Sequence, residues 1–316
     1  MRALTYEKHG DPRDGVVKKV FDPRPGPGQL LVRVVAAALN PADGKIVEGK
    51  APFLVFPKRP FVPGCEAAGV VEAMDARVSG FRVGDEVVVS TGFRGALAEK
   101  AAVSALQAVK KPASLSFEEA AAIPASGQSA LQALRDVARL RSGQRLLVNG
   151  AGGGIGTFAV QVGKLLGAHV TAVASAGKHE MLAGLGADAL LDWRKTDFAK
   201  AREEWDVVFD VVPNRSFGGC APILAREGVY VTTLPGAGPF FASLGASLRA
   251  PFGFRKRCRW LILRPRYEDL CWLVERAGEG KVRPVVGKVV PLDQAAWALS
   301  DLSAGHVTGK TVVRVA

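Results

Sequence analysis

RLLVNGAGGGIGTFAVQVGKLLGAHVTAVAS, residues 145 to 175, has the pattern of a strand, a glycine-rich turn, a helix and a second strand. Leu146-Leu147-Val148 is too short for a helix and apolar enough for a strand buried on both faces. Four glycines lie within Gly150 to Gly154, and Gly156 closes the turn. Thr157 to Gly167 carries Phe158, Val160, Val162, Leu165 and Leu166, an apolar-rich helix that Gly167 ends. Val170 to Ala174 reads as a second strand. Backbone without Cβ turns tightly from strand to helix and lets a pyrophosphate approach the first-turn N–H groups, where the helix dipole favours an anion. Aligned on Gly153 and Gly156, the G-x-G-x-x-G pattern has Ala151 at its first position. A glycine-rich turn alone also suits an ordinary βα connection. Here strand, turn, helix and second strand come in the order and lengths of a dinucleotide-binding unit.

The end of the second strand bears on the cofactor. An NAD site usually places Asp or Glu there, about 20 residues beyond the glycines, to bind the ribose 2′-hydroxyl. This strand ends Ala174-Ser175-Ala176-Gly177-Lys178, with a hydroxyl and a cation but no carboxylate. Ser175 and Lys178 suit a 2′-phosphate, so the expected cofactor is NADPH.

Outward from this unit, the 316 residues suggest about two domains with ample core. A hydrophobic fraction of 48% and a charged fraction of 23% are those of an ordinary globular protein. No run reaches the ~18 uncharged apolar residues of a membrane span, and MRALTYEKHGDP lacks a signal-peptide core. Cys65, Cys220, Cys258 and Cys271 are scattered, which suggests neither a disulfide framework nor a zinc knuckle. A reduced, cytoplasmic protein is expected. The net charge of +12 is concentrated in Arg249 to Arg266, with seven cations and no acid. That segment reads as a nucleic-acid or acidic-partner patch, or as a basic rim around a phosphate-bearing ligand or a solvated face. The second group of readings is favoured, and no membrane partner is expected.

Residues 1 to about 121 are β-rich. Leu30 to Val35, Gly69 to Glu72 and Glu86 to Val89 are short strand-like runs between Gly/Pro/Asp punctuators. Ser116 with Glu118 and Glu119 suits a helix start, and a second helix is expected over Ser126 to Val137. After Ser175 the pattern predicts helix Glu180–Leu185, strand Ala189–Leu191, a helix over Asp197–Glu203, and strands Val207–Phe209 and Val229–Val231. Such alternation argues for a parallel sheet. From about residue 266 come a helix, Glu268–Ala277, and short strands Val285-Val286 and Thr311–Val315. The closing strands resemble the first domain, so one domain is expected to be discontinuous. The expected division is 1–121, 122–265 and 266–316.

Several stretches resemble, in order, the zinc-independent medium-chain dehydrogenase/reductases of the quinone oxidoreductase group. Asn40-Pro41-Ala42-Asp43 looks like that group's N-P-x-D, and Gly64-Cys65-Glu66-Ala67-Ala68-Gly69-Val70-Val71 like the G-x-E/D-x-x-G-x-V signature. Gly84-Asp85-Glu86-Val87, Gly95 to Glu99, Leu185-Gly186-Ala187-Asp188 and Gly309-Lys310-Thr311-Val312-Val313 match further segments; Pro235 to Arg266 is least typical. The resemblance implies an α/β fold: a Rossmann-type doubly wound parallel sheet inserted in a discontinuous GroES-like β-barrel domain. It implies a homodimer through edge strands near Tyr230 to Thr233. It implies cofactor contacts from Ser129, Gly150, Ala151, Gly152, Gly153, Gly154, Ile155, Gly156, Ser175, Lys178, Trp193, Leu234 and Lys310. Trp193 stands where a Tyr often sits.

Catalytic zinc needs three protein ligands, commonly Cys and His. The resemblance puts Asn40-Pro41 and Cys65 where zinc-dependent relatives carry ligands, so no metal is expected. Without zinc, hydride delivery from NADPH to a quinone or an α,β-unsaturated carbonyl is the easier chemistry, needing positioning and a hydrogen bond to the acceptor oxygen. Asn40 is the candidate donor of that bond, and Asp43 and Lys45 are candidates for proton supply. Two alternatives stand beside this reading: an enoyl-thioester reductase, and a non-catalytic NADPH-binding protein with an RNA or protein partner.

Overall fold

The computed structural model describes residues 1–50, 60–233, 237–249, 255–305 and 307–315. Leu234 and residues 250–254 of the basic segment lie outside the described residues. The chain forms two compact units, Met1–Gln128 with Pro265–Ala316, and Ser129–Arg264.

The first unit opens with an antiparallel pair, β1 (Arg2–Thr5) and β2 (Val16–Lys19). Next come β3 (Gln29–Ala38), α1 (Pro41–Val47), β4 (Glu66–Met74), β5 (Glu86–Ser90), β6 (Lys100–Ser104) and β7 (Ala108–Lys110). α2 (Phe117–Ala121) follows, started by a reciprocal cap: Ser116 Oγ accepts from Glu119 N–H at 3.2 Å, and the Glu119 carboxylate accepts from Ser116 N–H at 2.9 Å. α3 (Pro124–Leu131) continues through a wider turn, Gln132–Ala138, that Arg139 ends at φ 56°. The units divide within α3, at Gln128/Ser129, where the sequence expectation was near residue 121. The start of α3 belongs with the first unit because Ala125 N–H donates to the Glu66 carboxylate at 2.6 Å and Arg266 N–H to the Gln128 side chain at 2.8 Å.

In the second unit β8 (Arg145–Asn149), α4 (Gly154–Leu165), β9 (His169–Ala174), α5 (His179–Gly184), β10 (Ala189–Asp192) and β11 (Trp205–Asp210) alternate. α6 (Phe217–Cys220), β12 (Leu224–Thr232), α7 (Ala237–Arg249) and β13 (Arg257–Trp260) complete it. The sheet order is β10-β9-β8-β11-β12-β13, with every pairing parallel. The order therefore reverses between β8 and β11. Ligands of open parallel sheets sit outside the strands' carboxyl ends at such a switch point. The central strands are apolar on both faces, as burial requires: Leu146, Leu147, Val148, Val207, Val208 and Phe209 are all buried.

Two expectations are corrected here. Asp197–Glu203 is not a helix: only Phe198–Lys200 makes one tight turn, with Asp197 accepting from Ala199 N–H at 3.2 Å, a local bond that competes with helix. Nor is the Tyr230–Thr233 region a sheet edge, because β12 pairs with β11 on one side and β13 on the other.

The chain then returns to the first unit with α8 (Tyr267–Gly278), β14 (Val286–Pro291), α9 (Ala295–Ala304) and β15 (Lys310–Arg314). β15 pairs antiparallel with β3, and the sheet runs β14-β15-β3-β4-β5-β7 with β6 also on β3. Leu30, Val32, Val34, Val87, Val89, Leu97 and Val313 fill its core.

Candidate functional site

In the second unit the turn after β8 is built around missing Cβ atoms. Gly150 has φ +81°, and a Cβ there would meet Val212 Cγ2 at 2.5 Å. A Cβ on Gly156 would lie 2.2 Å from the Gly150 carbonyl oxygen and 2.6 Å from Ala151 Cα, so glycine lets α4 start directly against the loop. The loop folds on itself: Ala151 N–H donates to Val173 O at 3.1 Å and Gly153 N–H to Gly150 O at 3.2 Å. Gly154, Ile155 and Gly156 open α4, and their N–H groups have no carbonyl a turn earlier within the helix. These donors and the helix dipole suit a pyrophosphate. Gly150 to Gly156 thus make the tight strand-to-helix turn expected of them.

Ser175 and Lys178 come together at the end of β9. Ala176–Lys178 makes a single tight turn, in which Lys178 N–H donates to Ser175 O at 2.9 Å. The Lys178 stem lies over the glycine loop, so that a Cβ on Gly152 would meet its Cδ at 2.4 Å. Partial burial there pulls the ammonium below its ordinary pKa. Trp193 follows β10, 52% exposed, with the Arg194 guanidinium 5.2 Å from its ring centre. Ser129 is buried in α3.

Beneath the loop lies a polar network that the sequence reading missed. Asn149, the last residue of β8, donates from Nδ2 to Asp210 Oδ1 at 2.8 Å and to Asn214 Oδ1 at 2.9 Å. Tyr230 OH donates to Asp210 Oδ2 at 2.8 Å. Burial raises the Asp210 carboxyl to about 6, against the lowering by its Tyr230 and Asn149 bonds. A lone carboxylate closing the apolar run Val207-Val208-Phe209 was the available signal.

The first unit gathers the other candidates into a buried cluster. Pro41 begins α1 with its fixed φ, and Asn40 N–H donates to Asp43 Oδ2 at 2.9 Å. The Asn40 side chain turns inward: Nδ2 donates to Glu66 Oε1 at 2.8 Å and Cys65 Sγ at 3.1 Å, while Oδ1 accepts from Lys310 Nζ at 2.6 Å. Lys310 Nζ also donates to Glu66 Oε1 at 2.7 Å and Leu39 O at 2.9 Å. An ammonium has three N–H groups, and all are engaged within this unit. Lys310 is thus the internal counter-ion of Glu66. For the same reason Asn40 has no amide N–H left for an acceptor oxygen.

Asp43 is fully buried, and its Oδ1 has no hydrogen-bond partner. Desolvation raises its carboxyl to about 7, against the lowering by Asn40 N–H and Lys310. Burial also pushes the Cys65 thiol well up, which makes it a poor metal ligand. Among the described residues no group of three or more His, Cys, Asp or Glu is arranged to hold a metal. Lys45 stands apart, exposed on α1. The structure joins Asn40 and Asp43 to Lys310, Glu66 and Cys65, and leaves Lys45 outside the cluster.

Comparison with known proteins agrees with this architecture. Residues 26–113 match the family described as alcohol dehydrogenase GroES-like domain, and residues 185–313 the family described as zinc-binding dehydrogenase. The chain is 34% identical to the chloroplast envelope quinone oxidoreductase homolog of Arabidopsis thaliana, over 99% of this chain and 98% of that one. It is 34% identical to the NADPH-dependent alkenal/one oxidoreductase, chloroplastic, of the same organism, over 90% and 72%. The solved quinone oxidoreductase from Coxiella burnetii superposes with a TM-score of 0.88 at 28% identity, covering 100% and 99% of the two chains.

Proposed function

On the premise that this chain belongs to the quinone oxidoreductase group of the zinc-independent medium-chain dehydrogenases/reductases, we propose that it takes NADPH and reduces a quinone or an activated α,β-unsaturated carbonyl. It is a nicotinamide-dependent oxidoreductase. The observation that carries the choice of NADPH is the end of β9, where Ser175 and Lys178 share one tight turn, no carboxylate takes the ribose position, and Lys178 lies over Gly152. NADPH, when bound, supplies the hydride. The chain's own part is to seat the pyrophosphate on Gly154, Ile155 and Gly156 and to fix the adenosine end at Ser175 and Lys178. Asn40, Asp43 and Lys310 keep the Asn40–Asp43 turn rigid from within. Lys45 has its side chain exposed and is the one of the three catalytic candidates open to a proton-transfer role.

A homodimer fits the same reading, with β13 in the role expected of β12, since β13 pairs with β12 alone among the described residues. Light scattering that finds only monomer at micromolar concentration counts against it. A reducing compartment such as the cytoplasm suits four free cysteines, three of them buried. Among the described residues no helix is long and apolar enough to cross a membrane.

The test is a steady-state screen of NADPH oxidation with quinones, enones and enoyl thioesters as acceptors. Turnover of quinones or enones supports the proposal. Turnover of enoyl thioesters alone transfers it to the thioester reading, and tight NADPH binding without turnover removes it.

A further inference from the structure

We infer that Arg194 is a specificity-determining residue, holding with Lys178 the 2′-phosphate that distinguishes NADPH from NADH. This rests on the NADPH reading above and adds to it a residue that no motif pointed to. β9 and β10 are parallel neighbours with Asp192 opposite Ala174. Trp193 and Ser175 therefore leave the sheet side by side, about 5 Å apart, as adjacent strands are spaced. The turns that follow carry Lys178 on one strand and Arg194 on the other.

The Arg194 turn is held in shape. Arg194 N–H donates to Asp192 Oδ1 at 3.0 Å, so the acid at the end of β10 is turned toward its own backbone. The guanidinium lies 5.2 Å from the centre of the Trp193 ring. Stacking on an indole holds a long cationic side chain in one place and leaves the edges of its planar fork open to hydrogen bonds. An indole 52% exposed buries little of its own surface, and this platform gives it a use.

The charge on Arg194 is also unanswered. Arg215 meets Asp197 at 3.0 Å and Arg255 meets Glu227 at 3.2 Å, whereas among the described residues no carboxylate pairs with the Arg194 side chain. A guanidinium stacked just past the end of β10, with a serine and a lysine just past the end of the neighbouring β9, suits a dianionic phosphate, which takes a bidentate bond from the fork and a point charge from the ammonium.

The experiment is calorimetric titration with 2′,5′-ADP and with 5′-AMP, which differ only in that phosphate, on wild type, Arg194→Ala, Arg194→Lys, Trp193→Ala and Lys178→Ala. Arg194→Ala is expected to weaken 2′,5′-ADP by about ten-fold or more and leave 5′-AMP within two-fold. Arg194→Lys recovers part of the loss, and Trp193→Ala causes a smaller one. Lys178→Ala and Arg194→Ala, combined, deviate from additivity because both act on one group. If wild type prefers 2′,5′-ADP and Arg194→Ala keeps that preference, this inference is overturned while the NADPH reading stands. Equal wild-type affinity for the two probes overturns both.

Discussion

Replacing Lys310 with methionine separates the two roles that the sequence and the structure assign to this residue. The Lys310 ammonium donates to Glu66 Oε1 at 2.7 Å, Asn40 Oδ1 at 2.6 Å and Leu39 O at 2.9 Å, with the residue 3% exposed. Methionine fills the stem's space but leaves the fully buried Glu66 carboxylate without its cation. Removing one partner of a buried ion pair costs about 3–5 kcal/mol. Asn40 Nδ2 and Ala125 N–H still donate to Glu66, at 2.8 and 2.6 Å, which favours the low end of that range. A loss of about 3 kcal/mol lowers the melting temperature by roughly 10 °C for a unit of this size. Adding Glu66→Gln removes the stranded charge and is expected to restore part of the loss. The assay is calorimetric melting of wild type, Lys310→Met and the double variant, with NADPH dissociation constants measured well below the transition. The expected result is a lower melting temperature with NADPH affinity within two-fold of wild type. A wild-type melting temperature with NADPH weakened ten-fold would show that Lys310 serves the cofactor and not the buried Glu66.

Lys178→Ala is expected to weaken NADPH by about ten- to a hundred-fold, from the loss of a charged hydrogen bond, and to leave NADH nearly unchanged; equal weakening of both makes Lys178 structural. Asp43 gives a pH dependence. Its carboxyl titrates at about 7 in the folded protein, above the unfolded value of about 4. Between these values the folded state keeps a proton that the unfolded state has released, so stability falls as pH rises from about 4 to 7 and falls no further above that. Asp43→Asn removes this slope, so urea midpoints should diverge in favour of the variant from pH 5 to pH 8; parallel series for the two proteins would contradict the burial argument. Zinc content of the purified protein is expected to be well below stoichiometric, with activity unchanged by chelator; stoichiometric zinc that tracks activity removes metal independence.

The nucleotide unit was legible because its signals are local. Leu146 to Val148, the glycines and the apolar helix each declare a backbone state within a few residues, and the parallel pairing of the sheet followed from the alternation of strands and helices. Ser175 and Lys178 were legible as a pair because one turn separates them. The partners of Lys310 and Asn40 were not legible because they are far along the chain: β15 lies beside β3, so Lys310 reaches Asn40 and Glu66 across 270 and 244 positions. No periodicity records such a bond. A polar side chain that resembles a ligand in sequence can equally be satisfying another buried group. α7 was missed for a different reason. Gly238, Pro239 and Gly245 interrupt its pattern with residues of low helix propensity, and tertiary packing overrides them. The edge position of β12 was misassigned because β13, Arg257–Trp260, carries two arginines in four residues and does not read as a strand. Those arginines are tolerated there because an edge strand has one unpaired side, where charge discourages unwanted pairing.

Transfer of label from NADPH carrying deuterium at both C4 positions of its dihydronicotinamide ring decides whether this protein passes hydride to an activated alkene. Purified protein is mixed with the labelled cofactor and an enone acceptor that the screen identifies, and the product is analysed by mass spectrometry and NMR. One deuterium per product molecule is expected, at the β-carbon of the former double bond, with activity undiminished by chelator. A product without deuterium, or an acceptor left intact by protein saturated with NADPH, would contradict this transfer.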